Sequence, residues 1–190
     1  MKSKFIFLSI LFICTIQSFS QNVENLKKEA LKAYKAGATT DFELIFDTTY
    51  PKVFDIISRE SMKQMFNQMM ENEQFSIKVI EVEPNFSFGE IKKIGKQTFC
   101  LVDHNNVMNM KFKAPMEDAE AMIELFKNSM DAKNVTFDEK ENQFKIELRS
   151  TMIAVADELT ENKWKFLNKD KENRLFTMIF DEKVKTELGL

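Results

Sequence analysis

Among the side chains able to carry a proton, attack carbon or ligate a metal, this chain offers one histidine, His104, and two cysteines, Cys14 and Cys100. Any imidazole-dependent step must therefore run through His104, the one side-chain type whose ordinary titration falls near neutral pH. A metal centre needs three or four converging ligands, and the spacing of the acids around His104 and Cys100 supplies no such set, so neither a metal nor a cofactor is implied. Cys100 lies in an apolar run without a cation to hold a thiolate and reads as a small buried side chain. No phosphate-binding glycine loop and no nucleophile motif is present.

The stretch around His104 carries the most information. From Thr98 to Phe112, Cys100, Val102, His104, Asn106, Met108, Met110 and Phe112 share one parity. Asp103-His104-Asn105-Asn106 could form a hairpin turn, since all four types tolerate turns. The apolar parity resumes in phase beyond them, which favours one unbroken strand. His104 and Asn106 then sit in the middle of an oily face, the pattern of a pocket lining. Ser150, on the inward parity of a long strand from Gln143 to Asp157, joins them, while Asp103, Glu147 and Arg149 fall on the opposite parity. An enolising isomerase of the ketosteroid type needs a carboxylate inside the pocket, and this face has none. Tyr50, at a bend before Pro51, and Trp164, in the last strand, complete a candidate ligand-binding set of Tyr50, His104, Asn106, Ser150 and Trp164. The catalytic alternative is a lyase or isomerase with His104 as general base and Tyr50 or Asn106 assisting.

The elements that must position these residues begin with a leader. Met1 to Ser20 has Lys2 and Lys4, an apolar run from Phe5 to Ile16, and Ser18-Phe19-Ser20 before Gln21, the order of a secretory signal. The run is too short to span a bilayer. Cys14 follows the bulky Ile13 and the apolar run continues beyond it, which disfavours lipidation. The expectation is a periplasmic or secreted protein, cleaved after Ser20, with 21–190 as one domain. Removing Lys2 and Lys4 leaves 25 basic against 30 acidic side chains, a net −5 in alternating signs. That balance argues against a nucleic-acid or anionic-lipid partner. One remaining cysteine cannot staple the chain, so packing must hold it, and 15 of the 19 phenylalanines and 11 of the 12 methionines lie beyond residue 20.

Periodicity predicts a helix over 23–36 stopped by Gly37, and a short helix opened by Thr40 and Glu43. A longer helix follows, capped by Ser58, with Met62, Met65, Phe66, Met69 and Met70 as its buried face. Period two takes over at Phe75, with a change of parity between Val79 and Ile80 that suggests a bulge. A helix over 115–132, an edge strand near Val135, a last strand over 163–167 and a closing helix over 171–188 complete the chain. The result expected is an α+β domain whose antiparallel sheet is covered by helices on one side.

Asp41-Phe42, Asp47-Thr48-Thr49-Tyr50-Pro51-Lys52-Val53, Cys100-Leu101-Val102 and Asn162-Lys163-Trp164-Lys165-Phe166-Leu167 resemble the NTF2-like (cystatin-like, SnoaL-type) superfamily, and within it a group of bacterial exported proteins. The resemblance implies a curved antiparallel sheet wrapped around the N-terminal helices as a cone; the chain departs from that pattern over 115–142, where the group has a short turn and 115–132 reads as a helical insertion. It also implies a pocket that serves isomerases, dehydratases and non-catalytic binding domains alike, so that fold does not fix function. A wealth of Phe and Met against a dearth of catalytic groups favours a non-catalytic domain. It would bind a small apolar ligand or a protein partner, or form a homodimer through its sheet.

Overall fold

The structure, a computed structural model, describes residues 23–190. The expected leader and cleavage after Ser20, and Cys14, lie outside the described residues. Helix α1 occupies 23–39, passing through Gly37, and ends where Thr40 turns to a φ of 56°. That conformation removes Thr40 from the capping role; Asp41 caps α2 (Phe42–Thr48) instead, accepting from the Leu44 N–H. Pro51 sets the bend as expected, leading into α3 (Val53–Ile56). Ser58 caps α4 (Arg59–Met70) through the Ser61 N–H.

Strand β1 (Phe75–Ile80) pairs antiparallel with the far end of β4 (Gln97–Phe112) in continuous register from Phe75↔Phe112 to Ile80↔Val107. There is thus no bulge at Val79; the strand ends after Ile80. The short strands β2 (Ser87–Phe88) and β3 (Lys92–Ile94) pair with the near end of the same edge. Strand β4 is unbroken, and β6 (Gln143–Ala156) pairs with it from Thr98↔Ala156 to Lys111↔Gln143. The far edge is β5 (Asn134–Asp138) and β7 (Lys165–Asn168), giving an open seven-stranded antiparallel sheet.

Helix α5 (Ala119–Met130) is shorter than the 115–132 expected, because Asp118 caps it at Ala121 N–H. The closing helix divides into α6 (Arg174–Ile179) and α7 (Glu182–Leu188): Phe180 is extended and Asp181 starts a new cap at Val184 N–H. That break brings Phe176, Phe180, Val184 and Leu188 inward, and leaves Met178 66% exposed.

Strand parity divides the core between the two faces. On the even face Cys100, Val102, Met152 and Ala154 pack with Leu26 and Ala30 of α1, Trp164 and Phe166. Further along, Met110, Phe144 and Ile146 pack with Phe126 of α5. On the odd face Phe99, Ile153, Val155 and Leu167 pack with Tyr50, Val53, Phe176, Phe180, Val184 and Leu188. Helices therefore cover both faces of the sheet, not one. Each large side chain so buried contributes about 1.5–3 kcal/mol before chain entropy is counted. The fold is α+β.

Candidate functional site

The residues expected to line one pocket lie in three places. His104, Asn106 and Ser150 do share the even face: His104 is paired in register with Ser150, and Asn106 Nδ2 donates to Ser150 Oγ at 3.2 Å. His104 is 8% exposed, with the Tyr34 ring at 5.4 Å and the Phe86 ring at 6.3 Å between centroids, both edge-on. Tyr34 is itself fixed, donating to the Val82 carbonyl at 2.8 Å and accepting from the Val82 N–H at 3.2 Å. The His104 Nδ1 stands 3.0 Å from the Asn105 carbonyl, so that nitrogen carries the proton and Nε2 the lone pair. Burial lowers the His104 pKa below its ordinary value, with Arg149 adding to the effect, and the Asn105 carbonyl and Asp103 opposing it. As parity required, the acids and Arg149 lie across the sheet: Thr151 Oγ1 donates to Asp103 at 2.7 Å, and Arg149 donates to the Asn105 side chain at 3.0 Å.

Tyr50 is buried on the opposite face, stacked on Phe180 at 5.5 Å. The structure does not bring it to His104. Its hydroxyl instead donates to Asp157 Oδ2 at 2.7 Å, and Gln97 Nε2 donates to the same oxygen at 2.8 Å and to the hydroxyl at 3.2 Å. Asp157 Oδ1 accepts from the Thr160 N–H at 3.1 Å, and the Leu159 N–H also serves the carboxylate. Burial alone would raise the Asp157 pKa; the Gln97, Tyr50 and backbone donors reverse that and hold it below the ordinary carboxylate value. A carboxylate so fully supplied with donors has no free lone pair with which to abstract a proton. It acts as a clamp joining the Tyr50 bend, the start of β4 and the end of β6.

Trp164 sits in the even-face core with α1, 1% exposed. A surface hollow of about 390 Å³ lies over the clamp, lined by Lys52, Lys96, Gln97, Asp157, Glu158 and Leu159. A second, of about 240 Å³, lies among Asn109, Thr136, Phe137, Asp138, Gln143 and Lys145. Neither is lined by His104, Asn106, Ser150 or Trp164. Among the described residues no cluster of His, Cys, Asp and Glu could hold a metal ion, and no helix is long and apolar enough to cross a membrane.

The misassigned element that bears most on function is α4. Its methionine stripe was expected to be core, yet no residue of the helix is buried, and Met65 and Met69 are 59% and 54% exposed. Met62 touches the odd-face core, and Phe66 meets Phe42 edge-on at 5.4 Å. The Arg59 guanidinium lies over the Phe54 ring at 4.7 Å. These contacts hold the helix by its inner side and turn Met65 and Met69 outward. Ile56 on α3, and Met178 on α6, which packs against α3, are exposed as well. The signal that could have exposed this is the helix's low mean hydropathy: polar residues occupy seven of its twelve positions.

Comparison with family models, curated proteins and solved structures finds no match to this chain.

Proposed function

We propose that this is an exported, non-catalytic binding domain of NTF2-like type that docks a partner protein on the methionine face of α4. The observation that carries the reading is the outward display of Met65 and Met69 by a helix with the pattern of a core element. Unbranched thioether side chains adapt to differing shapes and are overused at binding surfaces. Met65 and Met69 stand one turn apart, the spacing with which a helix presents anchors to an apolar groove. The polar groups elsewhere are spent on one another, Asp157 on its clamp and Asn106 on Ser150. Export rests on the leader pattern of residues 1–20, and the NTF2-like assignment on the order of elements and the Thr49-Tyr50-Pro51-Lys52 junction.

A photo-crosslinking amino acid placed at position 65 of the full chain, in an exporting cell, tests the docking. The expected result is one discrete adduct with a protein other than itself, lost when Met69→Glu is added. Adducts only with a second copy would make the face a dimer interface, and adducts only with lipid or small molecules would make it a ligand surface; either overturns the reading.

A further inference from the structure

We infer that Met65, Met69 and Met178 are reversible oxidation sites, and that the sulfoxides of Met65 and Met69 switch off the α4 face without unfolding the protein. The switch rests on the docking reading above; the site assignment does not. Exposure sets three methionines apart: Met65, Met69 and Met178 are 59%, 54% and 66% exposed, against 8% for Met110 and 4% for Met152, with the other described methionines half-buried between them. A peroxide can reach the first three directly, and the buried pair only through opening of the core. In the step a peroxide oxygen passes to the thioether sulfur: the O–O bond breaks, an S–O bond forms and water leaves, the sulfur being oxidised and the peroxide reduced. A thiol-dependent reductase reverses it, oxidising two thiols to a disulfide and releasing water.

Two further observations shape the outcome. Cys100, the one thiol among the described residues, is fully buried, and burial pushes its pKa up to about 11, so it presents no thiolate to compete for peroxide. Because α4 buries no residue, turning its outer thioethers into polar sulfoxides removes no packing from the core. What changes is the surface, from oily and pliable to polar.

Graded hydrogen peroxide, followed by peptide mass mapping, tests the sites. Met65, Met69 and Met178 should convert at least about tenfold faster than Met110 and Met152, with an unchanged melting temperature, and methionine sulfoxide reductase should restore them. Equal rates across all five, or unfolding in step with oxidation, would overturn the assignment. The switch is read by binding of an apolar fluorescent dye to the same samples. Peroxide should abolish saturable binding in the wild type and leave it intact in Met65→Leu/Met69→Leu/Met178→Leu. Dye binding lost equally in both overturns the switch. A wild type that never binds dye overturns the switch, and leaves the mapping to decide the sites and the crosslink at position 65 to decide the docking.

Discussion

Asp157 shows how little of a site is local. Tyr50 and Asp157 are 107 residues apart, and their bond exists because β4 and β6 bring Gln97 and Asp157 to the same end of the sheet. The bend at Tyr50 was legible from Pro51, but its partner was not, since no pattern near either residue encodes that register. Tyr50→Phe removes one donor from a buried carboxylate and should cost about 1–3 kcal/mol, read as a lower urea midpoint at unchanged slope. His104 is the converse case, where parity alone foretold a buried face. Its pKa is lowered in the fold by burial, so the unfolded chain takes up the proton at higher pH. Stability from this group is therefore whole above its unfolded value, about 6.5, and declines as pH falls through that value toward the lower folded one. Tyr34 and Phe86 enclose the ring, and Asp103 and Arg149 are the charges that act on it. Urea midpoints between pH 7.5 and 5.5 should fall on acidification in the wild type and lose that component in His104→Gln. Parallel slopes would show that His104 is not the group responsible.

Caps and turns decide where elements stop, and these were read unevenly. Ser58 is legible because its cap precedes a long periodic run, whereas the spacing of Thr40 and Glu43 reads as a capping box although the cap is Asp41, itself a good capping residue. Only the left-handed backbone at Thr40 separates them. The closing helix was read as one because its periodicity crosses Phe180 without a proline or glycine to interrupt it. The methionines of α4 show a different limit: periodicity reveals that a helix has two sides, but not which side the rest of the chain covers. The β3–β4 hairpin offers a clean test of turn chemistry. Gly95 holds a φ of 62° between paired Ile94 and Gln97, and nothing would touch an added Cβ. Gly95→Ala should thus cost about 1–2 kcal/mol through backbone strain alone, visible by thermal melting. A neutral result would mean that the hairpin shifts to another turn.

Across the whole molecule, two long strands carry clusters that helices from different parts of the chain complete. At one end lie the clusters under α1 and under α6 and α7, and at the other the cluster under α5. Between them runs the polar middle of β4 and β6, from Asp103 to Asn106 opposite Leu148 to Thr151. Trp164, the chain's one tryptophan, reports on the first end alone. Phe126→Ala should cost about 3–5 kcal/mol and fall almost wholly on the second. Amide exchange in α5 and β5 should then quicken while the protection of α1 and β7 and the Trp164 emission hold. Uniform loss of protection would mean that the sheet transmits the damage from end to end.

The unbroken course of β4 carries a consequence for change in chain length. Its alternate side chains serve opposite cores over sixteen residues, so inserting or deleting one residue near His104 would turn Met108, Met110 and Phe112 away from α5 and present Asn109 and Lys111 in their place. Variation in length is therefore confined to the connections at the strand ends, such as the 139–142 turn, and the interior of β4 can vary only by substitution.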